Sequence, residues 1–195
     1  ANRNNTMRIG VFGGTFDPVH TGHIAVANAA ADRFSLAEVL LIPAGNPPHK
    51  EGLTRTPFAH RLRMAELACA GQSKLRVSGM EEGSARSYSI HTIERLKRER
   101  PADRMYFLIG ADAFSEIETW YRWRDVLAEV EFIVVSRPGS DYGIPEGARI
   151  HRLDNVEIPV SSSAIREQLR AGATPAALPP GVFAYVRANG LYAAQ

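Results

Sequence analysis

Short apolar runs alternate along nearly the whole chain with stretches whose apolar residues recur every three or four positions. MRIGVF at 7–12, VLLI at 39–42, MYFLI at 105–109 and FIVV at 132–135 have strand length, and shorter strands are expected at Leu75–Ser78 and Ile150–Leu153. Helical spacing marks 24–34, with Ile24, Ala27, Ala31 and Phe34 on one face, and also 89–100, 123–129, 163–170 and 182–188. Thr56-Pro57 reads as an N-cap followed by proline at the first helical position of a helix ended by Gly71. Pro101 stops the 89–100 helix, and Gly172 and Asn189-Gly190 end the last two. Continuous apolar strands separated by helices predict a parallel sheet covered on both faces. The expected fold class is α/β: a single doubly wound domain with a mostly parallel sheet over 7–195, preceded by a flexible polar leader at 1–6. The Gly- and Pro-rich stretches at 45–56 and 136–149 read as loops rather than linkers.

Composition adds exclusions. The 195 residues, 45% of them hydrophobic, supply one real core and argue against disorder. With 23 basic and 21 acidic residues the net charge is +2, which is too balanced to predict a nucleic-acid partner. No apolar run approaches the ~18 residues that span a bilayer, so no membrane partner is expected. ANRNNT at the start lacks the apolar core of a secretory signal, and a cytoplasmic location follows as the expectation. The only cysteine, Cys69, leaves no intramolecular disulfide and reads as a buried structural thiol beside Leu67 and Ala68. RLKRER at 95–100 reads as a solvated helix face.

The chemistry concentrates in GGTFDPVHTGH at 13–23. In open parallel sheets ligands bind at the carboxyl ends of strands, where the strand order reverses. Gly13 and Gly14 end the first strand, and glycine there lets backbone N–H groups approach a phosphate, helped by the dipole of the following helix. No Gly-Lys-Ser/Thr follows and the G-x-G-x-x-G spacing is absent, so neither common nucleotide-loop motif is present. His20 and His23 stand three apart, on one face of a helix start. No further His or Cys has the spacing of a metal site, which disfavours chelation and leaves phosphate contact as the expected role. An imidazole beside phosphate is expected to be protonated near neutrality and to donate hydrogen bonds to charge building up in a transition state.

GGTFDPVHTGH resembles the T/H-x-G-H signature of the nucleotidyltransferase superfamily. PPHK at 47–50, SYSIHTI at 87–93, FLIGADAF with TWYRW at 107–123, SSSAIR at 161–166 and LPPGVFAYVRANGLY at 178–192 resemble, in order, stretches of the bacterial nicotinate-nucleotide adenylyltransferases. The likeness runs from Met7 to Tyr192. It implies a Rossmann-like nucleotidyltransferase fold and the transfer of the adenylyl group of ATP to nicotinate mononucleotide, giving deamido-NAD and pyrophosphate. It also implies Mg²⁺ accompanying the ATP, held mainly by phosphates and water.

Carried onto this chain, the resemblance places His20 and His23 on the ATP phosphates, beside a turn formed by Gly13, Gly14, Thr15 and Phe16. Lys50 would neutralise the phosphates of both substrates, against the alternative of a solvated loop lysine. Gly110 and Asp112 follow the MYFLI strand, and Asp112 would either accept from a ribose hydroxyl or cap a helix. Ser162, Ser163 and Arg166 would form a second phosphate-binding helix start, or an ordinary cap followed by a surface arginine. On the mononucleotide side, Trp120 would stack on the pyridine ring, and backbone N–H groups of Ser89 and Tyr121 would meet the nicotinate carboxylate. Thr92 belongs to the same stretch, and Arg137 would touch phosphate. His91 stands where many members of the family carry an acidic residue. The sequence leaves oligomeric state open. It also leaves open a sister enzyme preferring nicotinamide mononucleotide or phosphopantetheine, and a non-catalytic nucleotide-binding protein.

Overall fold

A computed structural model describes residues 6–46, 56–84, 86–154, 156 and 159–194. Lys50, with the rest of PPHK, and the leader except Thr6 lie outside the described residues. The strands are β1 (Arg8–Gly14), β2 (Glu38–Pro43), β3 (Leu75–Val77), β4 (Arg104–Gly110), β5 (Glu131–Val135) and β6 (Ile150–Leu153). They pair in the order β3-β2-β1-β4-β5-β6, every pair parallel. The order reverses between β1 and β4, so the carboxyl ends of these two strands form the switch point at which such sheets bind ligands.

Alternation along the strands divides the core in two. Tyr106 and Leu108 of β4 face one cluster with α1 (Thr21–Arg33), α2 (Phe58–Cys69), α6 (Ser162–Arg170) and α7 (Pro180–Ala188). Met105, Phe107 and Ile109 face the other, with α3 (Ser89–Glu99), α4 (Ala111–Ser115) and α5 (Trp123–Glu129). Both faces are therefore covered, which is why the strands read as continuous apolar runs. Gly10 shows how closely they pack: a Cβ there would lie 3.0 Å from a methyl of Leu36 and 3.1 Å from one of Val39. Cys69 is buried in the first cluster, and burial pushes its thiol up to about 11, as befits an unreactive core residue. Among the described residues no helix is long and apolar enough to cross a membrane.

The strands and helices read from the pattern are present, with informative differences. β1 continues through Gly13 and Gly14, which pair in register with Ile42 and Pro43, so the two glycines are strand and the turn begins at Thr15. The cap of α2 is Pro57 rather than Thr56, with no side-chain hydrogen bond. α4 and a short 3-10 turn at Ile117–Thr119 were not visible in the pattern, being too short to show a helical period. The basic run on α3 is a solvated face, tied by Arg95–Glu99 and Lys97–Glu129 ion pairs.

Candidate active site

The loop after β1 turns sharply at Phe16, whose φ of 51° lies in the left-handed region. Its ring is buried, packs over Gly14 and meets Phe12 edge-on at 5.5 Å, so Phe16 supports the turn from below. α1 then begins with a reciprocal cap. The Nδ1 of His20 accepts from the Gly22 N–H at 3.0 Å, and the His20 N–H donates to Nδ1 of His23 at 3.0 Å. The two rings stack with centroids 3.7 Å apart. Because both Nδ1 atoms accept, both imidazoles carry their proton on Nε2 and are neutral. Burial agrees, holding His20 down to about 4. The expected imidazolium is thereby corrected: protonating either Nδ1 would break the cap, and His20 is too desolvated to charge readily. Each ring keeps one Nε2–H donor.

A cleft of about 330 Å³ opens at the switch point. Gly13, Gly14 and Thr15 from the end of β1, Gly110 from the end of β4, and Ser89, Trp120 and Tyr121 all line it, so the structure brings these sequence-identified residues together. Ser89 is the first residue of α3, where a helix has N–H groups without intrahelical acceptors. Trp120 rests edge-on against Phe107 at 5.9 Å, while Tyr121 is half-exposed and stands 4.6 Å from the Tyr88 ring. His91 is exposed and meets Tyr88 and Tyr121 edge-on, extending the aromatic group outward. Phe12 links the two halves of the site, lining the cleft and facing the His23 ring at 6.0 Å.

The remaining residues stand around this cleft rather than in it. His20 and His23 follow the Thr15–Val19 loop, outside the cleft lining. α6 is capped by Ser161, whose hydroxyl accepts from the Ala164 N–H at 3.1 Å, so Ser162 and Ser163 are the first helical residues and not the cap. Ser162 Oγ donates to the Pro18 carbonyl (2.9 Å) and Arg166 Nη1 to the Asp17 carbonyl (2.9 Å), which fastens this helix start onto the β1–α1 loop. Gly110, not Asp112, is the N-cap of α4, which leaves Asp112 exposed in the first turn. Thr92 sits half-buried in the first turn of α3, and Arg137 is exposed beyond β5; neither lines the cleft.

Against known proteins, residues 11–168 match the family described as cytidylyltransferase-like. A protein of Solibacter usitatus named "Probable nicotinate-nucleotide adenylyltransferase" is 56% identical over 95% of this chain and 100% of its own length. The chain belongs to this nucleotidyltransferase family. A protein of Exiguobacterium sibiricum with the same name is 42% identical over 85% of this chain and 88% of its own. The fold is shared with Plasmodium falciparum nicotinic acid mononucleotide adenylyltransferase complexed with NaAD, at TM-score 0.79 and 20% identity, covering 95% of this chain and 97% of that one. Membership implies a divalent cation accompanying the nucleotide. Among the described residues no cluster of three His, Cys, Asp or Glu side chains could cage one.

Three residues that sequence reasoning passed over hold this family member's site in shape. Arg61 of α2 is 2% exposed and donates to three backbone carbonyls: Thr56 (3.0 Å), Thr15 (2.9 Å) and Ala44 (2.7 Å). It thus joins the starts of the β1–α1 and β2–α2 loops to Thr56, which precedes the Pro57 cap of α2. The hydroxyl of Tyr192 donates to the carboxylate of Asp17, and burial together with that bond keeps the phenol protonated. Glu81 lines the cleft, and burial pushes its carboxyl up to about 7. The helical pattern gave no signal for Arg61, because a charged side chain among alternating positions reads as surface.

Proposed function

We propose that this protein transfers the adenylyl group of ATP to nicotinate mononucleotide, releasing pyrophosphate and forming deamido-NAD. The observation that carries the proposal is the single cleft uniting the glycine end of β1 with Trp120, Tyr121 and the N-terminus of α3. One end offers close backbone approach for phosphate, the other an aromatic surface and N–H donors for an anionic pyridine. The 56% identity to a relative bearing this activity in its name supports the same reading.

The phosphate oxygen of the mononucleotide attacks the α-phosphorus of ATP in line, and the bond to pyrophosphate breaks without an enzyme-bound intermediate. The protein's task is to align two anions and stabilise the charge on the transferring group. The neutral rings of His20 and His23 donate Nε2–H to phosphate oxygens, and their reciprocal cap fixes ring orientation before substrate arrives. Gly13, Gly14 and Thr15 let the phosphates approach the backbone. Arg166, Ser162 and Ser163 bring a second helix start toward the β1–α1 loop, and Lys50 supplies a further positive charge. Asp112, exposed in the first turn of α4 after Gly110, accepts from the ribose. Trp120 stacks on the pyridine, Ser89 and Tyr121 N–H groups receive its carboxylate, and Thr92 and Arg137 act from the margin. Mg²⁺ on the triphosphate would supply charge neutralisation, held mainly by the phosphates and water. The cytoplasm, where ATP is abundant, is the compartment this reading assigns.

The test is a substrate panel. Purified protein with Mg²⁺-ATP is expected to release pyrophosphate much faster with nicotinate mononucleotide than with nicotinamide mononucleotide or phosphopantetheine at neutral pH. Equal turnover of the amide overturns the specificity, and no release with any acceptor overturns the reaction.

A further inference from the structure

Glu81 lines the same cleft as Trp120, Tyr121 and Ser89, yet nothing in the adenylyl transfer uses it. It sits half-buried in the turn between β3 and α3, where the Glu82 N–H bonds the Gly79 carbonyl and the Ser84 N–H bonds its own (3.2 Å). Its backbone lies against Gly45, where any Cβ would run into the Glu81 carbonyl. Ser87 ties the side chain in: its Oγ accepts from the Asn46 N–H at 2.8 Å, and its hydroxyl donates to the Glu81 carboxylate. A carboxyl group is thus set into the wall of the pocket by contacts from both neighbouring segments.

Among the described residues the charges around it are few. Arg61 of α2 favours the carboxylate, as does the Ser87 hydroxyl from the segment before α3. Arg95 of α3 is spent on the Met80 carbonyl (2.9 Å) and Glu99, and Arg86 bonds the Tyr88 hydroxyl (3.0 Å). The Ala44–Asn46 segment brings no titratable side chain. Burial outweighs these influences, so the group changes charge at about 7 rather than in the ordinary carboxylate range.

Resting on the function proposed above, we infer that Glu81 is a specificity-determining residue that sets the preference between an anionic and a neutral substituent on the pyridine ring. A protonated carboxyl donates a hydrogen bond and tolerates a neighbouring carboxylate. An ionised one repels that carboxylate but accepts from an amide NH₂. Preference for the acid is therefore greatest when Glu81 is neutral and declines as it ionises. Binding of the acid also raises the proton affinity of Glu81, so the acid binds with proton uptake and the amide does not.

The experiment measures kcat/KM for nicotinate and nicotinamide mononucleotides across pH 6 to 8.5 in the full-length protein, Glu81→Gln and Ser87→Ala. Both substrates carry the same phosphate, so its titration cancels in the ratio. In the wild type the acid-to-amide ratio is expected to fall roughly 30-fold over this range, the loss of the neutral form of a group that changes charge at about 7; a like-charge contact at an effective dielectric of about 20 is strong enough not to limit it. Glu81→Gln flattens the profile. Ser87→Ala removes a donor that favours the carboxylate and moves the fall to higher pH. Calorimetry at pH 7.5 in buffers of different ionisation enthalpy reads proton uptake with the acid alone. A flat wild-type ratio, an unchanged fall in Glu81→Gln, or equal uptake with both mononucleotides overturns the inference. Should Glu81→Gln fail to fold, the wild-type uptake and the Ser87→Ala shift decide. No pyrophosphate release with any mononucleotide removes the functional reading itself, and a flat ratio with active enzyme removes only this inference.

Discussion

Replacing Arg61 by methionine keeps the length of the side chain and removes every donor it carries. Three carbonyls, at Thr15, Ala44 and Thr56, lose their partner at once. A net contribution of about 1 kcal/mol per bond, somewhat more for a charged donor, gives a loss near 3–5 kcal/mol. Removing a cation that is 2% exposed, and whose charged form burial disfavours, returns part of that. The expected destabilisation is about 2–3 kcal/mol, or a fall in Tm of roughly 4–12 °C for a chain of this size. The functional loss should be larger than the stability loss suggests. Thr15 lines the cleft at the end of β1 and Ala44 lines it at the end of β2, and a shift of about 1 Å in such elements can reduce rate ~100-fold. Arg61→Lys should recover part of the stability, since one ammonium cannot span three carbonyls in different segments, and little of the rate. The assays are urea unfolding followed by circular dichroism and steady-state pyrophosphate release below the melting range. Arg61→Met with stability within about 0.5 kcal/mol of wild type and unchanged kcat/KM would falsify the reasoning.

Two further expectations concern the histidine pair. His20→Ala should lose both the cap, worth about 1 kcal/mol, and adenylyl transfer, whereas His20→Asn should restore the stability but not the rate; full activity in a folded His20→Asn would remove the Nε2–H role. Below its unfolded value of 6.5 His20 charges in the unfolded chain while staying neutral in the fold down to about 4, so stability should fall as pH drops through that window, by up to about 3 kcal/mol. Glu81 acts with the opposite sign: its raised value favours the fold at low pH and erodes stability as pH climbs from 4.5 through about 7. Wild-type stability should thus vary little between pH 4.5 and 6.5, and Glu81→Gln should reveal the steeper histidine slope in denaturant melts; equally flat profiles in both proteins would contradict these assignments.

The sheet was legible because strands buried on both faces leave an unbroken apolar record. MYFLI could hardly be anything else, and it is β4. Gly13 and Gly14 read both as the end of the first strand and as part of the turn, because glycine carries no side-chain pattern; the pairing with Ile42 and Pro43 settles them as strand. Among three consecutive serines nothing local marks Ser161 as the cap of α6. The protonation expected for the histidines rested on a neighbouring phosphate, and both the burial of His20 and the reciprocal cap oppose it. Arg61 and Glu81 stayed hidden for a common reason. A charged residue reads as solvated until the loops that enclose it are in place, and those loops come from distant parts of the chain.

The fastening of the β1–α1 loop also bears on the order in which the protein is completed. Asp17 is held by Arg166 and Tyr192, and the Thr21 N–H donates to the Ala177 carbonyl at 2.9 Å. The loop carrying the histidines is therefore synthesised well before the partners that clamp it, across sequence separations of 149 and 175 residues. During synthesis the sheet can assemble around β1 while this loop remains without its clamp. Catalytic competence should consequently appear after the bulk of the fold, once residues 161–192 have docked, and a nascent chain halted before them would be largely built yet inactive.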